Sequence, residues 1–195
     1  MKSFKLLVFI LLSVIAVNAH AQDSGSRFSF ELNAGPSFAT QDLGGTDLKI
    51  GAGFETLFHY RLQQHVGVYA GWGWNRFGTD EPFQQVDADF EETGYVFGLE
   101  FSHPIQDTPL GWSVRAGGLY NHLEIENSDG DIVWDSGHGL GYHAGAGLEF
   151  QIAEKWSLNT IALFHSLSRS VDVDENNVSL DLSYISARVG IVRAF

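Results

Sequence analysis

The chain has no cysteine, so no disulfide can staple it. Proline is scarce, with four in 195 residues, which leaves long stretches free to enter hydrogen-bonded ladders. Basic residues are also few: 11 Lys and Arg against 24 Asp and Glu, for a formal net charge of −13. Nucleic acid is therefore not an expected partner, because its binding depends on neutralising phosphates with Lys and Arg. Past the N-terminus no apolar run approaches the roughly 20 residues that a membrane helix requires. A helical membrane protein is excluded on that ground.

What the chain does have is glycine, 22 residues, and aromatics at 13%. This favours ordered β structure over disorder. The first residues carry Lys2 and Lys5, an apolar run from Leu6 to Val17, then Ala19-His20-Ala21. A charged start, a short apolar core and a small-residue site make residues 1–21 a secretory signal peptide. Its core of twelve residues is too short to span a bilayer. The mature chain then starts at Gln22, holds 174 residues at a net charge of −15, and suits a single domain over 22–195.

The clearest periodicity lies between Gly139 and Ser166. Leu140, Tyr142, Ala144, Ala146, Leu148, Phe150 and Ile152 share one parity; Gly141, His143, Gly145, Gly147, Glu149 and Gln151 share the other. A period of two over thirteen residues is a strand, not a helix. After a turn at Ala153-Glu154-Lys155, Trp156, Leu158, Thr160, Ala162 and Phe164 continue an uncharged apolar face. An apolar face without charge, backed by glycine and isolated ions, fits a membrane-spanning β-barrel with lipid on one side and a polar lumen on the other.

The same reading gives further strands at 27–38, 48–62, 66–75, 93–103, 110–123 and 178–195. The expected fold is an all-β, eight-stranded antiparallel up-and-down transmembrane β-barrel. Long connections follow the first, third, fifth and seventh strands, and short turns follow the second, fourth and sixth. Short periplasmic turns and longer outer loops have this asymmetry. In the last strand Val178, Leu180, Leu182 and Tyr184 share one parity, whereas Ile185, Ala187, Val189 and Ile191 share the other. Either a β-bulge near Tyr184 flips the face, or the upper part has already left the membrane. Trp112 and Trp156 at one end, with Trp72 and Trp74 at the other, suit interfacial girdles.

Three glutamates sit in related contexts on even-numbered strands: Gly53-Phe54-Glu55, Gly98-Leu99-Glu100 and Gly147-Leu148-Glu149. They make a weak internal repeat of hairpin units. Separately, GAGLEFQIAEKWSL at Gly145 to Leu158 and the terminal RVGIVRAF at Arg188 to Phe195 make the chain resemble the OmpA/OmpX-like small outer-membrane β-barrels. The resemblance is closest to the porin-family "outer membrane protein beta-barrel domain" proteins of the Bacteroidetes type. It implies location in the outer membrane of a Gram-negative cell, surrounded by outer-membrane lipid and lipopolysaccharide. It also implies that Phe195 serves as the assembly signal read by the barrel-assembly machinery, and that the barrel is a monomer. Arg193 departs from the apolar residue usual there.

By parity, Glu31, Glu55, Glu100, Glu149, Lys49, Arg61, Arg115 and Arg188 project into the lumen. An eight-stranded barrel is just wide enough for side chains to fill it. Enclosed charges must pair, so a lumenal network is expected, with Glu100 opposite Arg115 and Arg188 near Glu31. His143 and His165 also point inward, with Glu149 on the same face, and are expected to be filler. Lipid A deacylases, also outer-membrane barrels, use a His-x-Ser pair; here Leu167 stands two residues after His165 and the pair is missing. No catalytic, cofactor or metal set is assigned, and no cofactor is expected.

Seventeen of the 24 acidic residues lie in or beside the long connections. They read as a solvated rim, or as ligands for divalent cations bridging to lipopolysaccharide. Asn127 to Asp131 superficially resembles a calcium loop but lacks its later glycine and glutamate, and reads better as a hairpin turn. The expected role is structural or surface-interacting, not enzymatic. A small porin or channel is the alternative, with a lipid A-modifying enzyme behind it.

Overall fold

A computed structural model describes residues 26–79, 81–84, 86–173 and 176–195. The signal-peptide reading of residues 1–21 lies outside them. Nine strands are present: β1 (Phe28–Ala39), β2 (Gly51–Arg61), β3 (Val66–Gly78), β4 (Ala88–Pro104), β5 (Leu110–Asn127), β6 (Ile132–Asp135), β7 (Gly139–Ala153), β8 (Trp156–Val173) and β9 (Asn176–Ala194). All neighbours pair antiparallel, in the order β4-β3-β2-β1-β9-β8-β7-β5, and a β4–β5 pairing closes eight of them into a ring. The short β6 folds back on the far end of β5. Closure leaves no unpaired edge, as a strand protein in hydrocarbon requires.

Alternation decides the faces. Phe58, Leu99, Leu140, Leu148 and Val189 stand on the outer surface, each more than half exposed. Their neighbours one residue away turn inward, where Glu31, Leu57, His165 and Tyr184 are 0–1% exposed. Phe97, Trp112 and Trp156 are likewise outside. A soluble barrel would put these apolar residues in the middle.

The narrow interior explains its glycines. A Cβ on Gly98 would come within 2.5 Å of the Tyr69 hydroxyl, and one on Gly117 within 2.8 Å of His143 Nε2. Each glycine makes room for a large side chain on a neighbouring strand.

The strands run further than periodicity alone indicates. β3 and β4 pair out to Gly78↔Asp89, and β8 and β9 out to Val173↔Asn176. The expected fourth long connection at 167–177 is therefore almost all ladder. The expected bulge near Tyr184 is absent, since β8 and β9 pair without a register shift. Leu180, Leu182 and Tyr184 face inward at the long-loop end, and Ile185, Val189 and Ile191 face outward. The parity change in the sequence marks a change in what the interior contains, not a flip of the strand.

That upper interior is apolar. Phe77, Phe90, Leu119, Leu123, Ile125, Leu180 and Leu182 fill it, each no more than 1% exposed. Leu43 and Phe83, from the connections after β1 and β3, fold in and join them. Phe83 packs edge-on against Phe90 and Trp134. Charge thus fills the lower part of the lumen, and a mainly hydrophobic seal, with Glu92 and Arg169 buried beside it, closes the rest.

Candidate functional site

Glu31 is the hub of the lower lumen. Arg115 grips it bidentately, Nη1 to Oε1 at 3.0 Å and Nη2 to Oε2 at 2.6 Å. Asn33 and Asn159 each donate to Oε1 at 2.7 Å, and His59 Nε2 lies 3.1 Å from Oε2. The Arg115 Nε donates to Glu100, its cross-strand partner. A carboxylate with no exposure is tolerable only with its lone pairs satisfied in this way. The Arg115 guanidinium also lies 5.7 Å from the centre of the Tyr69 ring.

Arg188 forms a second centre. Its Nη2 donates to Asn75 Oδ1 at 2.9 Å and its Nε to Ser186 at 3.2 Å, and Nη2 is 3.9 Å from Glu55 Oε1. It does not join Glu31, because closure sets Glu31 opposite Val192 on β9. Arg61 and Glu149 line the short-turn mouth, an open vestibule of about 510 Å³ that also reaches Glu31, Glu100 and Arg115. Lys49 is not in the lumen; it is exposed at the opposite rim and donates to Thr79 O at 2.6 Å.

Two charged residues of the interior stand where sequence reading puts loops. Glu92, 4% exposed, accepts from Asn75 at 3.2 Å, from Tyr184 at 2.5 Å and from Asn121. Arg169, 8% exposed, donates to the carbonyls of Asn121, Gly139, Leu140 and Ser168 and to the Asn121 side chain. Glu92 shares the inward parity of Val96 and Glu100, so extending the β4 pattern upward would have found it. Arg169 likewise continues the inward parity of His165 and Leu167.

The outward face above the tryptophans is charged. Arg76 pairs with Asp89 at 2.8 Å, Glu91 at 2.7 Å and Glu126 at 3.1 Å, and Trp74 Nε1 donates to Glu91 at 2.9 Å. Two strands further round the rim, His122 Nδ1 is 3.0 Å from Asp135 and the His122 ring stacks on His138. Burial raises the Asp135 pKa, but hydrogen bonds from His122 and the Gly137 N–H outweigh it and hold the carboxyl below its ordinary range. Asn127 uses its side-chain oxygen to accept the Asp129 and Asp131 N–H groups, which makes 127–131 a turn.

A family model described as the outer membrane protein beta-barrel domain matches residues 7–189. The chain belongs to that family. This outer-membrane barrel is similar in fold to Neisserial surface protein A, with a TM-score of 0.65 at 12% identity over 89% of this chain and 100% of that one. OprG of Pseudomonas aeruginosa aligns with a TM-score of 0.55 at 12% identity, over 88% and 98%. Outer Membrane Protein W of E. coli aligns at 0.52 and 15% identity, over 90% and 100%. No curated protein matches the chain.

The rest of the outer-membrane barrel's expected residues fall as follows. Phe195 is 54% exposed at the short-turn end, with its N–H donated to Phe28 O at 3.0 Å. The Arg193 guanidinium lies 5.2 Å from the ring centres of both Trp156 and Phe195, which is how a charge is held on this belt. His165 is buried, and Ser166 faces away from it toward Ser183 at 3.1 Å.

Proposed function

We propose that this protein is a closed, non-conducting barrel that acts through its long-loop rim as a structural or surface-interacting element. The observation that carries this reading is the seal: Leu43, Phe77, Phe83, Phe90, Leu123 and Leu180, none more than 1% exposed, occupy the upper lumen. Ions crossing it would have to shed their hydration among hydrocarbon side chains. The reading includes no enzymatic step. The rim sets Asp89, Glu91 and Glu126 around the single Arg76 just above Trp74. Surplus carboxylates at headgroup depth suit divalent-cation bridges to the phosphates of lipopolysaccharide. Partners in this reading are outer-membrane lipid, lipopolysaccharide and the barrel-assembly machinery, with the barrel as a monomer.

Planar-bilayer recording of the purified barrel, combined with lipid A mass spectrometry of an expressing strain, tests the reading. Silence in both supports it. Single-channel steps altered by Arg115→Gln or Arg188→Gln would make it a channel instead. A change in lipid A mass lost in His165→Ala would make it an enzyme.

A further inference from the structure

Between the charged lower lumen and the apolar seal lies a third set of groups. Glu55 on β2, His143 on β7 and His165 on β8 each bring one donor atom within 4.8 Å of the others. They are 1%, 2% and 1% exposed. The histidines are cross-strand partners, and Glu55 reaches them from the opposite wall. Only ring closure assembles the three.

Their hydrogen bonding is incomplete in a specific way. His143 Nε2 is 2.7 Å from the Tyr69 hydroxyl, and His165 Nε2 is 3.4 Å from Ser186 Oγ. Glu55 Oε1 faces Arg188. The other atom of each group, His143 Nδ1, His165 Nδ1 and Glu55 Oε2, is buried without a hydrogen-bond partner. Orphaned polar atoms in so enclosed a place are costly and call for an occupant. An imidazole whose far nitrogen is hydrogen-bonded to a hydroxyl is held in orientation, as metal-ligating histidines are by their outer partners.

We propose that Glu55, His143 and His165 bind one divalent transition-metal ion of the zinc type inside the barrel. Two imidazole nitrogens and one carboxylate oxygen form a donor set that suits such an ion, with water in the fourth position. Bonds of about 2.0–2.2 Å place donors roughly 3.4 Å apart, so donors within 4.8 Å of one another close by at most about 1.4 Å on binding. Gly73, the cross-strand partner of Glu55, leaves room for the Glu55 side chain, which lies over it. The ion would sit directly below the seal and pin β2 to the β7–β8 wall, a cross-brace loaded as the barrel closes.

The test uses barrels refolded in detergent with Co²⁺ or Zn²⁺ and then washed, with folding judged by heat-modifiable migration. All proteins carry His122→Ala, because His122, Glu124 and Asp135 form a separate set at the rim with donor atoms within 4.8 Å of one another. The expected result is one ion per folded barrel, a Co²⁺ visible absorption of low-symmetry nitrogen and oxygen ligation, and a higher unfolding midpoint with metal than without. Glu55→Gln, His143→Gln and His165→Gln should each weaken binding at least about tenfold and abolish the midpoint shift. Absence of ion from the folded parent barrel overturns the proposal, and so does undiminished binding in a folded variant. Should a variant not fold, the stoichiometry and spectrum of the parent decide alone.

Discussion

Arg115 holds Glu31 from the opposite wall of the barrel, with two hydrogen bonds of 3.0 and 2.6 Å between residues 84 apart in sequence. β1 and β5 are four strands apart whichever way round the ring is followed. The contact is thus a strut across the lumen, not a rung of the ladder. Removing one end strands a fully buried charge. Arg115→Leu should lower stability by about 3–5 kcal/mol in reversible urea unfolding from lipid vesicles. The double variant Glu31→Leu, Arg115→Leu should lose clearly less than the two single losses together. Additive losses would show that the two groups act separately.

The outer surface makes a sharper demand. Leu99 is 56% exposed midway along β4, with Val68 and Ala116 as its cross-strand partners. Leu99→Arg should cost about 2–4 kcal/mol in the same unfolding assay, because the guanidinium would lie near the bilayer midplane. Gly130→Arg, at the exposed β5–β6 turn, makes a useful contrast. Gly130 has φ of 85°, so its cost should be one of backbone strain that is the same in detergent and in bilayer. Equal dependence on bilayer for both variants would contradict the lipid-facing assignment of Leu99.

The seal should be robust in conductance and sensitive in stability. Phe83→Ala removes a ring packed on Phe90 and Trp134 and should cost about 3 kcal/mol or more. Phe77, Phe90 and Leu180 still close the lumen, so bilayer recordings of this variant should stay silent. Protease should cut the 79–87 connection faster. Ion steps in Phe83→Ala would mean that one ring, not the layer, forms the barrier.

The β5–β6 hairpin should respond to acid. Asp135 has a depressed pKa in the folded protein through His122 and the Gly137 N–H. Its contribution is therefore present above the ordinary carboxylate pKa of about 4 and lost as pH falls through the lower folded value. Protection factors of the Ile132–Asp135 amides should drop in that window and not at neutral pH. Asp135→Asn should remove the dependence. A drop that persists in Asp135→Asn would overturn the assignment.

Much of this fold was legible in the chain, for an identifiable reason. Leu140 to Ile152 alternate without interruption, and that parity alone assigns an outside and an inside to β7. Glu100 opposite Arg115 followed from counting back from a short turn. Reading failed where the surroundings changed, not the strand. Leu180, Leu182 and Tyr184 suggested either a face flip or a strand end already clear of the membrane, because an apolar residue was taken to mean lipid, yet the upper lumen is itself largely apolar. Glu92 and Arg169 looked like loop charges for the complementary reason: an ion was taken to mean water.

The sequence by itself determined that the chain forms alternating strands, that eight of them make the ring, and which side chains share a face. Those properties depend on neighbours one or two residues away, and a period of two records them directly. Only the tertiary structure decided that Arg115 grips Glu31, that Arg188 turns to Glu55, and that Glu55 meets His143 and His165. These meetings depend on the register of β1 against β9 and on which walls face across a closed ring. Register is fixed by the sum of all eight pairings, so no single stretch of the chain carries it.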